Sequence, residues 1–311
     1  MDTDFLDWAL ADFSGYVAAD ELYDGPCCIL SAVDHRCDKR ILYDVLDHDP
    51  THDDIRAFLR RLHTALSARH LTLCGVTTDG SALYPVPLAE VCGEVPHHIC
   101  TFHIVAEVSK AVLGAVASAR KGLAAQQPKR RKGRPSTPAA KQAARTKKRL
   151  AEQRTALFTH RYLVVQRHLS KTERKTLWRI TRGLPQVRTL RALMDQVYAL
   201  FDRRCRTQTA LDKLAKLRRR LLRFPLLRET LKKLFSPPLE KALTFLDDKL
   251  LPSTSNAVER GNRRYRKRQN NVYRVRTQAQ IRARLALDMW REAQAEGRQQ
   301  TLASLHQARA G

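Results

Sequence analysis

Short apolar runs separated by polar turns dominate the first fifty positions and predict β-strands. Strand-like runs occupy 16–22, 27–33 and 39–46, and the turn signal Asp24-Gly25-Pro26 separates the first two. A parallel crossover needs a dozen or more residues, so strands this closely spaced must form an antiparallel meander.

Helical periodicity interrupts the strands after residue 50. Apolar side chains recur every three or four positions between Ile55 and Leu66, after a capping-box-like start at Thr51. A fourth strand is predicted at 71–78 and a short fifth one at 98–103. This order of strands and helices resembles the ribonuclease H-like fold, an α/β class with a mixed sheet.

From about residue 104 to 250 the pattern is helical. A last long helix begins near Asn256 and continues, with a break near Asn270-Asn271, to about Gly297. The other helices are predicted at 150–168, 171–182, 190–206 and 211–223.

Three regions are therefore expected. Residues 1–107 form the first part of the ribonuclease H-like core, with strands 1 to 5. Residues 108–250 form a basic, all-α insertion with a mobile loop near 122–140, and 251–311 complete the core with a C-terminal helix.

Charge is divided unevenly between these regions. The chain carries 57 Lys and Arg against 31 Asp and Glu, a net charge of +26, yet residues 1–107 are net acidic. The basic part predicts a polyanionic partner. The hydrophobic content of 43% is too high for a disordered polycation, and seven cysteines, an odd number at irregular spacing, indicate a reducing compartment. We expect a cytoplasmic protein without a membrane partner.

Two aspartates in the predicted strands are candidate metal ligands. Asp20 lies inside the first predicted strand, and Asp79 ends the fourth strand just before a glycine. Neighbouring parallel strands would bring these carboxylates together as ligands for Mg²⁺ or Mn²⁺. Alternatively, Asp79 is an ordinary turn residue. The competing acidic candidates near Asp20 are Glu21, which alternation places on the opposite face, and the turn residues Asp24 and Asp34.

A third carboxylate, Glu259, lies far downstream. Asn256 precedes it by three positions, so both lie on one face of the predicted helix, although a capping box alone would explain the pair. The residues after it concentrate phosphate-binding charge. They are Arg260, Arg263, Arg264, Arg266, Lys267, Arg268, Arg274 and Arg276.

Cys100 and His103 form a Cys-x-x-His pattern close to Cys92 and to His97-His98. A structural zinc site is one reading, but a second matching pair of ligands is missing. A buried cysteine and a supporting histidine beside the carboxylates is the preferred interpretation.

A basic motif lies in the predicted loop. Its Gly133-Arg-Pro135 core resembles an AT-hook, which lies along a narrow minor groove, although Lys132 departs from the usual pattern. The alternative is a solvated basic loop. The candidate DNA-binding residues here are Lys129, Arg130, Arg131, Lys132 and Arg134.

Taken in order, Asp20, Thr77-Thr-Asp-Gly80, Cys100-x-x-His103 and Thr254–Asn262 resemble the DDE-type insertion-sequence transposases that carry a Cys-x-x-His motif and an all-helical insertion. The resemblance implies that Asp20, Asp79 and Glu259 are the catalytic triad and hold two Mg²⁺ or Mn²⁺ ions. It also implies support from Cys100, His103 and Asn256. The implied activity is cleavage and strand transfer of double-stranded DNA, at element ends and target, by a homo-oligomer associated with the nucleoid.

One departure from that family concerns the N-terminus. Such transposases usually carry a DNA-binding region before the first catalytic strand, whereas about 15 residues precede it here. We therefore expect duplex binding with little sequence discrimination. The alternatives are a ribonuclease H-like nuclease or resolvase without strand transfer and a non-catalytic nucleic-acid-binding remnant.

Overall fold

The computed structural model describes residues 3–128, 135–222, 232–271 and 274–295. The chain divides into a sheet unit, residues 1–100 and 248–311, and a helical unit, residues 101–247. The first division lies seven residues before the expected position of 107, because a long helix begins at Thr101, directly after the fifth strand.

A five-stranded mixed sheet forms the centre of the sheet unit. Its strands are β1 Tyr16–Asp24, β2 Cys27–Asp34, β3 Arg40–Leu46, β4 Gly75–Thr78 and β5 His97–Ile99. In sheet order they are β3, β2, β1, β4 and β5. The first three form the predicted antiparallel meander, and β1 pairs in parallel with β4, which pairs in parallel with β5.

Helices cover both faces of this sheet. Every residue of β2 is buried, as expected for a strand with both faces covered. The helices of this unit are α1 Thr3–Leu10, α2 His52–Ser67, α3 Pro85–Cys92, α10 Asn256–Asn271 and α11 Gln278–Gln294. On one face Leu30 packs with Phe58 of α2, and on the other Ile29 packs with Tyr265 of α10 and Leu285 of α11.

The helix α2 forms as its sequence predicts. The Thr51 hydroxyl accepts a hydrogen bond from the backbone N–H of Asp54, and the Asp54 carboxylate accepts one from the backbone of Thr51. This capping box satisfies backbone groups that a helix start leaves free. The apolar stripe from Ile55 to Leu66 is buried against the sheet unit's core.

The helical unit contains helices and short 3₁₀ turns over its described residues. Thr137 caps α5 by accepting a hydrogen bond from the backbone N–H of Ala140, and Ser170 and Glu173 form a capping box at α6. The helices are α4 Thr101–Ala125, α5 Pro138–Thr159, α6 Lys171–Ile180, α7 Pro185–Leu200, α8 Thr207–Leu222 and α9 Pro237–Lys241.

Some predicted bounds are wrong. The fourth strand starts at Gly75 instead of residue 71, and the fifth ends at Ile99 because α4 begins two residues later. Helices also extend into the predicted loop at 122–140. The buried Leu123 prolongs the apolar stripe of α4, and the Thr137 cap starts α5. Residues 129–134 of that loop lie outside the described residues.

Among the described residues, one helix, α4, is long enough and apolar enough to cross a membrane, judged by length and composition alone. A stripe of its side chains, from Ile104 through Val108 and Val112 to Val116, is buried. The helix packs against α5 and α7 of its own unit. This spacing of four residues is typical of a helix that contributes one face to a protein core.

Candidate metal and nucleic-acid site

The strand register brings Asp20 and Asp79 side by side. The last paired residues of β1 and β4 are Ala18 and Thr77, and each aspartate lies two positions further along its strand direction. Because side chains alternate with a period of two, Asp20 leaves the sheet on the same face as Ala18, and Asp79 follows directly after the end of β4. The sequence-based expectation that the first and fourth strands are parallel neighbours is confirmed.

Three carboxylates gather beside β1 at the point where β4 ends. Oxygen atoms of Asp20, Glu21 and Asp79 all lie within 4.8 Å of one another, and the three residues are half-buried. Strand alternation predicted that Glu21 lies on the face of the sheet opposite to Asp20. Its long side chain nevertheless reaches Asp79, which lies at the strand end, where the chain turns.

Mutual repulsion and burial make this cluster electrostatically unfavourable. Burial, followed by the charge of Asp79, raises the pKa of Glu21 to about 7, against the smaller lowering effect of a hydrogen bond with Ser81. Asp79 also serves in the turn, since its Oδ1 accepts a hydrogen bond of 2.8 Å from the backbone N–H of Ser81. The turn reading and the cluster reading of Asp79 therefore both apply.

The helix α10 contributes further polar groups. The Asn262 Nδ2 donates a hydrogen bond of 2.8 Å to Asp20 Oδ2. The other side-chain atom, Asn262 Oδ1, is buried and has no hydrogen-bond partner among the described residues. The Asn262 oxygen is thus a potential metal ligand close to the Asp20 carboxylate. Asn262 belongs to the Thr254–Asn262 motif, but the motif alone predicted no role for it.

Glu259 lies one turn before Asn262 on the same helical face. Its Oε1 accepts a hydrogen bond of 2.9 Å from the Ser255 hydroxyl, and the Ser255 backbone N–H donates to Cys100 Sγ at 3.3 Å. Cys100 Sγ is within 4.8 Å of a Glu259 carboxylate oxygen. Glu259 is therefore held beside Cys100, whereas Asp20 and Asp79 group with Glu21.

Close packing fixes α10 on the sheet. Ala257 and Val258 of the helix pack on Ala18 of β1 and Val33 of β2, which are paired neighbours in the sheet. The helix approaches Arg40 closely at Gly261, where a Cβ would lie 3.1 Å from Arg40 Nη2, so a larger residue would require that guanidinium to shift. Such packing sets the position of Glu259 and Asn262 relative to β1.

The competing acidic candidates have structural roles. Asp24 Oδ2 accepts a hydrogen bond of 2.7 Å from the Tyr265 hydroxyl. Asp34 is fully buried, and its carboxylate accepts backbone hydrogen bonds at 2.8–2.9 Å from Ser14, Arg36 and Cys37. These bonds tie the β2–β3 turn to the start of β1.

The predicted supporting residues differ in their burial. Cys100 is buried as expected. Asn256 is the first residue of α10 and is exposed, and His103 is the third residue of α4, in the helical unit. Among the described residues, Cys92 belongs to no group of three potential metal ligands.

The basic residues of α10 fall into two sets. Arg260 pairs with Asp38, Arg264 with Glu292 at 2.8 Å, and Arg268 with Asp288. Arg263, Arg266 and Lys267 are exposed and have no ion pair within the described part of the chain. The loop candidates Lys129, Arg130, Arg131, Lys132 and Arg134 lie outside the described residues.

The pKa of Glu21 predicts a pH-dependent stability. The folded chain keeps this carboxyl protonated to about pH 7, whereas the unfolded chain ionises it near 4.5. Its stabilising contribution is therefore present below pH 4.5 and is lost as the pH rises through 7, up to roughly 3 kcal/mol. Urea denaturation in EDTA between pH 4.5 and 8 should show this loss, and Glu21→Gln should remove it.

The matched control for that experiment is Glu94→Gln, at an exposed glutamate of the same unit. It should leave the pH dependence of the unfolding free energy unchanged. If Glu21→Gln and the unaltered chain show the same pH dependence, the electrostatic description of the cluster is wrong.

The donor set at Asp20 combines three clustered carboxylates with the amide oxygen of Asn262. These are hard oxygen donors of the kind that Mg²⁺ and Mn²⁺ prefer. The comparisons with known proteins add nothing to this chemistry: the chain matches no protein-family model, no curated protein and no solved structure.

Proposed function

We propose that this chain is a DNA transposase that catalyses divalent-metal-dependent cleavage and strand transfer. The observation that carries the proposal is the cluster formed by Asp20 and Glu21, in the middle of β1, with Asp79, directly after the end of the parallel neighbour β4. The strand order and the resemblance of the motifs to DDE-type transposases support it. A ribonuclease H-like fold of the sheet unit is part of the same proposal.

The cluster fits divalent cations on its own chemistry. A carboxyl with a pKa raised to about 7 beside two further carboxylates marks a place where a positive charge is favourable. Asp20, Asp79 and Glu259 would hold Mg²⁺ or Mn²⁺, with Glu21 as a further candidate ligand. When bound, the ions supply Lewis-acid activation of an attacking oxygen and stabilise the leaving oxygen.

The protein's own groups prepare this arrangement. The amide of Asn262 orients the Asp20 carboxylate, and the Ser255 hydroxyl holds Glu259 on the neighbouring turn of α10. The bond from the Ser81 backbone N–H orients Asp79. Each carboxylate thus has a partner that restricts its rotamers, as a site needs before the reacting groups arrive.

The exposed cations of α10 are the proposed contact with DNA phosphates. Arg263, Arg266 and Lys267 are exposed on the helix that bears Glu259. A phosphate is the reacting group in phosphoryl transfer, so cations that bind the neighbouring phosphates would position the strand. A cytoplasmic, nucleoid-associated homo-oligomer is the corresponding state in the cell.

Salt dependence tests this contact. We expect Arg263→Gln and Lys267→Gln each to reduce the slope of log K against log salt by about 0.9, since each removes one phosphate contact. Fluorescence anisotropy with a labelled duplex between low and physiological salt measures the slope. Arg60→Gln, at an exposed arginine of α2, is the control and should leave the slope unchanged. Equal slopes for all three variants would place the DNA contact elsewhere.

The activity itself is tested with a labelled duplex that ends in a 3′-hydroxyl and a supercoiled plasmid. In Mn²⁺ or Mg²⁺, the full chain should nick DNA and join the labelled strand covalently to the plasmid, and EDTA should prevent both reactions. Nicking without joining would favour the nuclease alternative. Metal-independent binding without nicking would favour the non-catalytic alternative.

A further inference from the structure

A cationic pocket lies in the helical unit, within the segment from the 3₁₀ turn after α5 to α7. Its volume is about 510 Å³, and one aromatic side chain, Trp178, lines it together with Arg167, Arg174, Arg188 and Thr181. That volume is within the usual range for small-molecule sites. The function proposed for the carboxylate cluster makes no use of this pocket.

The one acidic side chain among the lining residues, Asp195, does not neutralise the positive charge of the pocket. Asp195 pairs with Arg191, and the Arg191 guanidinium also donates a hydrogen bond of 2.6 Å to the backbone carbonyl of Gln166. Arg191 and Asp195 therefore form an internal brace. Within the described residues, Arg167, Arg174 and Arg188 have no carboxylate partner, which leaves three guanidinium groups for a ligand.

The aromatic side chain is presented to solvent. Trp178 is 62% exposed, and the Arg188 guanidinium carbon lies 5.8 Å from its ring centroid. The Arg188 Nε also donates to the Thr181 hydroxyl at 3.4 Å, which sets the direction of its side chain. An exposed indole beside an oriented guanidinium offers a stacking surface and a hydrogen-bond donor for phosphate at the same mouth.

We propose that this pocket binds a nucleoside phosphate. The base stacks on Trp178, and Arg174, Arg188 and Arg167 contact the phosphate group, the anion that arginine forks recognise best. A base stacks on an indole only with a free face, so the ligand is a free nucleotide or an unpaired nucleotide of a strand, and a fully paired duplex is not the ligand. The proposal is independent of the metal-dependent activity.

Calorimetric titration of the full chain in EDTA tests it, with thymidine 5′-monophosphate, thymidine and inorganic phosphate as probes. The monophosphate should bind more tightly than either part alone. Trp178→Ala should weaken binding at least about five-fold, from a stacking energy of ~1–3 kcal/mol. Arg174→Gln should weaken it by a similar factor, and Trp178→Phe should retain most of it.

Arg179→Gln is the matched control, because it removes one exposed guanidinium from the same helix outside the pocket. It should change the affinity less than two-fold. Thermal unfolding of each variant identifies any that fails to fold. A phosphate affinity equal to that of the nucleotide, together with an unchanged affinity for Trp178→Ala, would show a simple anion patch and overturn the proposal.

A single-stranded dodecamer of thymidylate separates the two sources of the ligand. If the dodecamer binds and displaces the monophosphate, with the same loss in Trp178→Ala, the pocket accepts a strand nucleotide. If the monophosphate binds and the dodecamer fails to compete, it accepts a free nucleotide. If neither probe binds at millimolar concentration, or only paired duplex does, the proposal is wrong. None of these results depends on whether Asp79 supports cleavage.

Discussion

Replacement of Asp79 by asparagine is expected to abolish metal-dependent nicking and joining while duplex binding stays the same or becomes tighter. Asp79 belongs to the cluster in which three carboxylates place oxygens within 4.8 Å of one another. Groups that merely orient metal ligands already cost 10–100-fold when removed, so the loss of a ligand should exceed ~100-fold. The affinity should not fall, because the substitution removes a negative charge near phosphates.

The control for this variant is Asp47→Asn, at an exposed aspartate that follows β3. It makes the same chemical change in the same unit and should keep full activity. Rates of plasmid nicking and strand joining, with anisotropy for binding, give both readouts on one preparation. Nicking by Asp79→Asn at the rate of the unaltered chain would show that the carboxylate cluster is not the reaction centre.

Of the substitutions considered, Phe58→Ala is expected to lower the unfolding free energy most. Phe58 is 1% exposed and lies on α2 in the cluster that covers one face of the sheet. Removal of a fully buried phenyl ring costs about 3–5 kcal/mol, from lost transfer free energy and the cavity left behind. Urea denaturation followed by circular dichroism measures this change in the unfolding free energy.

Phe102→Ala is the matched comparison, because Phe102 is 59% exposed at the start of α4. Exposed substitutions usually change stability by no more than ~0.5 kcal/mol. If the two variants were destabilised equally, the burial assigned to α2 would be wrong.

Local pattern was sufficient for much of the sheet unit. The three-strand meander, α2 with its capping box and the break between α10 and α11 near Asn271 all follow from short-range signals. Such signals act over a few residues, through turn chemistry and periodicity. The ends of the helices beside the basic loop were harder to predict from the sequence, because the alanine-rich ends of α4 and α5 contain few large apolar residues.

The candidate site was predicted in part for the same reason. Asp20 and Asp79 could be placed near each other from the expected strand order, because it makes the first and fourth strands parallel neighbours. The inclusion of Glu21 depends on the reach of a side chain across a strand end, and the role of Asn262 on how α10 seats against β1. Both are tertiary facts, although the i, i+3 spacing of Glu259 and Asn262 was a visible signal.

The interruption of the sheet unit has a consequence for synthesis on the ribosome. The five strands and α2 are complete by Cys100, but α10 and α11 follow only after about 150 further residues. At ordinary translation rates that interval lasts roughly ten to thirty seconds. During it, Leu22, Ile29 and Val45 lack the helices that later bury them. The nascent sheet is therefore a natural client for chaperones, and the carboxylate of Glu259 is the last of the site's acidic groups to be made.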